Sequence, residues 1–258
     1  MKSPLTAIEN RRLGRAMLDY SMLADGDRIL IAVSGGVDSL LLAWVLHIWR
    51  KKAPIEYSLQ AVHLDMRPEE EARGPKAELV VQRLAAMDIP CRVLPANQPA
   101  PASEEMMALS AKDVCFSCAR SRRNQLFAYA RTNRFNVVAL GHHRDDIIET
   151  FFLNLTCAGN ISTMRPRQDL FSGELALIRP LAYLRKSEIL AISHRLALQP
   201  VSSDCPLSGK TMREDIREML ELLYEKIPGS REQIFAALGN VRSDYLLNPS
   251  RNAREDKP

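Results

Sequence analysis

The sequence predicts an α/β protein built on a parallel sheet with helices on both faces, followed by a helical C-terminal extension. Short apolar runs alternate with longer amphipathic stretches between residues 28 and 155, the pattern of strands joined by crossover helices. Two of these runs, Arg28–Val33 and Asn136–Leu140, end in polar loops that carry a glycine and lead into a helix. Beyond residue 160 the strand signal fades and helical spacing takes over.

Residues 7–20 put Ile8, Leu13, Met17 and Leu18 on one side of a leading helix. Arg28-Ile29-Leu30-Ile31-Ala32-Val33 is apolar on both faces, as a buried parallel strand must be. Leu40–Leu46 reads as a core helix and Ser58–Leu64 as a second strand. Residues 74–88 form a helix with Leu79, Val80, Leu84 and Met87 spaced for one face, and Cys91–Leu94 a short third strand. A loop rich in Pro and Ala over about 95–112 breaks the pattern. A helix over 117–133 precedes the fourth strand, 136–140, and the next helix starts near Asp145 and carries Ile147, Ile148, Phe151, Phe152 and Leu155. Leu175–Leu181 supplies a last strand, and helices follow at about 185–196, 211–225 and 230–239. One domain is expected over 1–245, its helical part beginning at about 185, with a polar, disordered tail over 246–258. In such sheets ligands sit beyond the carboxyl ends of the strands, so the loops after Val33 and Leu140 are expected to share one crevice.

The first of those loops is Ser34-Gly35-Gly36-Val37-Asp38-Ser39. Its glycines allow close approach of backbone to an anion. The helix that follows offers unpaired N–H groups and the positive end of its dipole. Ser34 and Ser39 add hydroxyl donors, and Asp38 either caps the helix or helps hold a phosphate-bound cation. This is not a Walker A loop. Gly209-Lys210-Thr211 imitates the end of one, but Asp204 stands where the first Gly belongs and no apolar strand leads into it. Ser-Gly-Gly-x-Asp-Ser resembles the PP-loop of the ATP pyrophosphatases, which implies ATP cleaved between its α- and β-phosphates and a substrate that is adenylated.

Composition bounds the remaining possibilities. With 46% hydrophobic residues over 258 the chain can bury a real core, and 6% aromatics means aliphatic packing. The N-terminus lacks an apolar signal-peptide core and no run is long enough to span a bilayer, so a soluble, cytoplasmic protein without a membrane partner is expected. A net charge of +4 permits a nucleic-acid partner without demanding one. The basic residues are uneven, with Arg120, Arg122, Arg123, Arg131 and Arg134 in one group and Arg165, Arg167, Arg179, Arg185 and Lys186 in another. These are either solvated helix faces or contacts to the phosphates of ATP or RNA. The cysteines number five, an odd count that does not suit a disulfide framework.

Cys115-Phe116-Ser117-Cys118 is placed at a loop-to-helix junction, where the helix start would lower the thiol pKa. Zinc would need two further ligands and no second C-x-x-C exists. Cys205, in a loop between helices, could return to the pair. Three cysteines suit a [4Fe–4S] cluster with one iron left open, or else Cys115 and Cys118 are a redox pair and Cys205 is incidental. Cys91 and Cys157 lie in apolar contexts that suit small core residues. Gly141-His142-His143-Arg144-Asp145-Asp146 is the second dense polar cluster, and it holds more than helix capping requires. A carboxylate here suits a general base or a cation ligand, with the histidines near substrate or phosphate.

Ser34–Ser39, Cys115-x-x-Cys118 with Arg120 and Arg122-Arg123, Gly141–Thr150, Ile178–Tyr183 and Cys205 occur here in one order. Together they resemble the tRNA 2-thiocytidine synthetases, the TtcA-like PP-loop sulfurtransferases, over about residues 10–245. The resemblance implies ATP at Ser34, Gly35, Gly36, Asp38 and Ser39, with Gly141 and His142 beside it, and Mg²⁺ accompanying the nucleotide. It implies a [4Fe–4S] cluster on Cys115, Cys118 and Cys205. It also implies a tRNA substrate, sulfur from a cysteine desulfurase or sulfide, and a homodimer. Related thiouridine enzymes use a basic residue four positions after the second cysteine, here Arg122, and an aspartate that maps to Asp145 or Asp146. Two departures stand out. Val37 replaces the Lys common at that loop position, which leaves more phosphate charge to the arginines. The surroundings of Cys205 lack the usual second pair.

The expected reaction adenylates a base carbonyl, likened to cytidine C2, with Arg122 or Arg123 neutralising the α-phosphate. Sulfur then displaces AMP from the activated carbon, Cys205 being essential. The competing readings are a cluster-free, lysidine synthetase-like ligase, a sulfurtransferase acting on something other than RNA, and a non-catalytic sensor that binds an iron–sulfur cluster and a nucleotide.

Overall fold

The structure is a computed structural model, and it describes residues 4–67, 73–97, 111–202, 205 and 211–247. Gly209 and Lys210 of the Walker A imitation, most of the 95–112 loop and the tail from 248 lie outside these residues. A six-stranded sheet runs in the order β3-β2-β1-β4-β6-β5. Its strands are β1 (Asp27–Ala32), β2 (Tyr57–Asp65), β3 (Cys91–Pro95), β4 (Val137–Ala139), β5 (Arg167–Leu170) and β6 (Leu175–Ile178). All neighbours pair parallel except β5, which lies antiparallel to β6 through Arg167↔Ile178 to Leu170↔Leu175. That edge strand departs from the all-parallel expectation, and the last strand is shorter than Leu175–Leu181.

The helices are α1 (Ala7–Asp19), α2 (Val37–Arg50), α3 (Pro75–Ala85), α4 (Ala111–Thr132), α5 (Arg144–Cys157), α6 (Lys186–Arg195), α7 (Met212–Lys226) and α8 (Ser230–Ala237). The pleat sends alternate residues to opposite faces. Ile29 and Ile31, Val137 and Ala139, and Ala176 and Ile178 join one core with Leu40, Leu41, Leu42 and Leu46 of α2. Leu30, Val138, Leu175 and Leu177 join a second core with Ala130 and Phe135, at the end of α4 and just beyond it. Both faces are therefore covered, as predicted.

Two compact units divide the chain, Met1–Arg217 and Glu218–Pro258. The second, by itself, holds the end of α7 and α8, tied by an Arg231–Glu221 ion pair at 2.8 Å and by Arg231 over the Tyr224 ring at 4.2 Å. Among the described residues no helix is long and apolar enough to cross a membrane.

Strand order reverses between β1 and β4. β2 and β3 extend one way from β1, while β4 and β6 extend the other. The crevice at such a reversal, beyond the carboxyl ends, is where open α/β sheets bind ligands. The loops after β1 and β4 both open there.

Candidate active site

The β1–α2 loop carries its own hydrogen bonds. Ser34 Oγ accepts from the Gly36 N–H at 3.3 Å and lies 3.2 Å from Ser39 Oγ, which donates to the Gly36 carbonyl at 2.9 Å. Gly36 is the N-cap of α2 and brings no side-chain cap, so the first-turn amides face the crevice as an anion site. Gly35 has φ +93°, and a Cβ there would meet Val80 Cγ2 at 2.7 Å, so glycine is required twice over. Its carbonyl accepts from Val201 N–H at 2.9 Å, which tethers the segment leading to Cys205 to this loop.

Gly141 joins the second loop to the first. A Cβ at this position would lie 2.9 Å from the Asp38 carbonyl carbon and 3.0 Å from Ser39 N. Only glycine lets the β4–α5 turn pack on the first turn of α2. The His143 imidazole, buried, then sits among three carboxylates. Its Nε2 is 3.3 Å from Asp146 and 3.8 Å from Asp38, and its Nδ1 is 3.6 Å from Asp145.

The structure separates the two aspartates. Asp145 Oδ2 accepts from the backbone N–H of Lys186 at 2.7 Å, which anchors the start of α6. Asp146 accepts from the His143 N–H at 2.9 Å and faces Arg213 at 3.4 Å. It also acts electrostatically on His142, whose pKa is pulled down to about 4 by burial, against the pull of Asp146 and with the help of Arg179 and Arg213. His142 Nδ1 accepts from Arg179 Nε at 3.2 Å and is therefore a neutral acceptor at physiological pH. Arg179 is buried and also donates to the Arg165 carbonyl. Burial, with Arg123 adding repulsion, brings Arg179 down to about 10, still cationic.

Asp38 does not cap α2. Lys186 Nζ donates to both its carboxylate oxygens, at 2.6 and 2.8 Å. The cation at the loop is thus Lys186, on the first turn of α6, a member of the second basic group, rather than one of the arginines. Arg213 and Arg217 of α7 were missed. Arg217 Nε bonds the buried Glu149 at 2.9 Å and Arg213 reaches Thr150 at 3.2 Å. Glu149 follows Asp145 by one helical turn, a spacing that could have flagged it.

The C-x-x-C departs from its expected setting. α4 begins at Ala111, so Cys115 and Cys118 lie inside the helix, past the reach of its terminal dipole. The Cys115 thiol is pushed up by burial first, then by Cys205 and Cys118, with Arg122 opposing. The helix start does not activate it. Cys118, Cys205 and Arg122 are thus near enough to Cys115 to act on it electrostatically, and Arg122 lies one helical turn beyond Cys118. Among the described residues no three Cys, His, Asp or Glu donors close into a preformed metal-binding set. The donor type fits an iron–sulfur cluster, with half-buried thiols at Cys115 and Cys118 of α4 and at Cys205. For Mg²⁺, Asp38 and Asp146 near the open amides fit an ion that takes one or two carboxylates and otherwise phosphate oxygens.

The PP-loop domain family matches residues 6–222. A tRNA-cytidine(32) 2-sulfurtransferase of Xanthomonas euvesicatoria pv. vesicatoria is 35% identical over 241 residues, covering 92% of this chain and 76% of that protein. One from Xylella fastidiosa (strain M23) is 34% identical, covering 93% and 79%. Among solved structures, the U34-tRNA thiolase NcsA from Methanococcus maripaludis with its [4Fe-4S] cluster superposes with a TM-score of 0.70 at 20% identity, covering 90% of this chain and 77% of that one, a likeness of fold.

Proposed function

The chain belongs to the PP-loop domain family, among the tRNA-cytidine 2-sulfurtransferases, and on that premise we propose that it thiolates tRNA in an ATP-dependent reaction at cytidine C2. Position 32 is the site carried by the relatives' names. One observation carries the reading. The glycine turn at 34–39 packs directly against Gly141 at the head of the His142–Asp146 cluster, in the same body as Cys115, Cys118 and Cys205.

The chemistry follows from the residues. The first-turn amides of α2 and the hydroxyls of Ser34 and Ser39 hold the phosphates that leave as pyrophosphate. Asp38 and Asp146 would hold Mg²⁺, and Lys186, released from Asp38, takes up the phosphate charge that Val37 cannot. The C2 oxygen attacks the α-phosphorus, Arg122 neutralising its oxygens, and the base becomes an O-adenylate. Hydrosulfide adds at C2, its proton passes to a carboxylate or water, and the C–O bond breaks so that AMP leaves with the oxygen. The exchange is redox neutral. Cys115, Cys118 and Cys205 would hold a [4Fe–4S] cluster through their thiolates, and the cluster would supply iron to bind the sulfur that is transferred. Residues 1–245 form the working domain on this reading. A cytoplasmic homodimer fed by a cysteine desulfurase or free sulfide completes it.

The test incubates the anaerobically purified protein with tRNA, ATP, Mg²⁺ and sulfide, then scores AMP and 2-thiocytidine by mass spectrometry. Both products are expected from wild type, and neither thiolation nor stable iron from Cys205→Ser. AMP without thiolated tRNA in wild type would return the reading to the cluster-free ligase.

A further inference from the structure

α4 presents two adjacent stripes. Cys115, Cys118 and Arg122 line one, at spacings of three and four. Phe116, Arg120, Arg123 and Phe127 line the next, at spacings of four, three and four. The second stripe faces Leu170 and Phe171, and between them runs a groove of about 420 Å³ that Ala119 and Asn124 also line. At 1.5 Å per residue it extends about 16 Å along the helix from Phe116 to Phe127.

Its walls are unusual for a surface helix. The Phe116 side chain is 68% exposed, an apolar ring left in water on a polar helix. At the far end Phe171 adopts φ +51°, followed by Ser172 at +56° and Gly173 at +93°. A bulky aromatic rarely tolerates that region, and strain of this kind marks functional sites. Phe127 meets the Phe171 ring edge-on at 6.1 Å and Arg131 covers it at 4.7 Å, so this end of the groove is held in place. Arg120 and Arg123 are exposed on the floor, with no carboxylate among the lining residues. Arg123 also acts electrostatically on Arg179, the residue that follows β6.

We propose that this groove receives an unstacked stretch of the tRNA strand beside the reacting nucleotide, a base stacking on Phe116 and phosphates meeting Arg120 and Arg123. Aromatic rings interleaved with arginines are the general means of holding single-stranded nucleic acid. A target base inside a stacked duplex is out of reach, so the enzyme must hold its neighbours in an opened strand. The inference rests on the tRNA-thiolation reading for the identity of the strand, while the groove's chemistry is tested separately.

The probe is a fluorescent single-stranded RNA heptamer, titrated against the holoprotein over a range of salt, with ATP affinity measured in parallel. Phe116→Ala should weaken heptamer binding roughly 10-fold or more, as loss of one stacking platform does. Phe116→Trp should restore it. Arg120→Gln with Arg123→Gln should lower the salt slope by about 1.4, at ~0.7 per phosphate contact. ATP affinity should not move in either Phe116 variant. Heptamer affinity like wild type in Phe116→Ala together with an unchanged salt slope in the arginine variant would overturn the groove, as would a parallel loss of ATP binding in Phe116→Ala. A wild type that binds the heptamer through the groove yet never thiolates tRNA would instead sink the functional reading.

Discussion

Lys186→Met removes the one cation that meets the loop carboxylate among the described residues. Lys186 Nζ grips both oxygens of Asp38, but the two side chains are 39% and 30% exposed, so the pair is worth no more than about 1 kcal/mol to folding. For a body of this size that is a Tm change of roughly 2–4 °C. The cost to turnover should be larger. If Lys186 transfers to phosphate once Mg²⁺ engages Asp38, its loss removes a charged hydrogen bond worth about 1.5–3 kcal/mol. At 1.36 kcal/mol per decade this lowers kcat/KM for ATP roughly 10- to 150-fold. The assay follows AMP release against ATP concentration, with Tm by scanning calorimetry and Lys186→Arg as the charge-retaining control. A kcat/KM within about threefold of wild type, at unchanged Tm, would refute the transfer and leave Lys186 as a structural partner of Asp38.

Three further outcomes follow from the same geometry. Gly141→Ala should abolish measurable ATP binding by calorimetry while circular dichroism stays native, because its Cβ would press at 2.9–3.0 Å on backbone atoms of Asp38 and Ser39; normal affinity would contradict the tight approach. Asp146→Asn should cut turnover at least about 100-fold with little loss of stability, whereas Asp145→Asn keeps most activity because an amide oxygen still accepts from Lys186 N–H; the reverse order would exchange their roles. His142 titrates at about 4 in the fold against an ordinary 6.5, so the unfolded chain binds more protons between those values. Its contribution is complete above pH 6.5 and is lost as pH falls toward 4, by about 3 kcal/mol at most. In urea titrations His142→Gln should flatten that slope, and an unchanged slope would assign it to other groups.

The parts legible from sequence are those whose signal is local. A doubly apolar strand, a glycine turn and a buried leucine run identify β1, the loop and α2 without reference to the rest of the chain, and Asn136–Leu140 with Gly141 does the same for β4. β5 was missed because Arg167-Gln168-Asp169-Leu170 is an edge strand with no fully buried position, so it needs no apolar alternation. The start of α4 was missed because Ala111–Val114 follows a stretch rich in Pro and Ala and lacks an apolar stripe of its own. That error carried a chemical one with it, since a thiol in mid-helix is not activated by a helix terminus.

What sequence could not supply are pairings made by topology. Asp145 and Asp146 are equivalent as first-turn acids, and only the return of the chain beyond β6 gives Asp145 the Lys186 N–H to hold. The same return delivers the Lys186 ammonium to Asp38, 148 positions earlier in the chain, into the loop where Val37 offers no charge. Val201 reaches Gly35 by a contact that spans still more of the chain. The anion site is therefore a local motif, but its charge balance belongs to the strand order. Placing β4 and β6 on one side of β1 brings α5 and α6 to the mouth of α2. A substitution in the loop can then be offset from another element, so the absence of a loop cation does not by itself argue against phosphate chemistry.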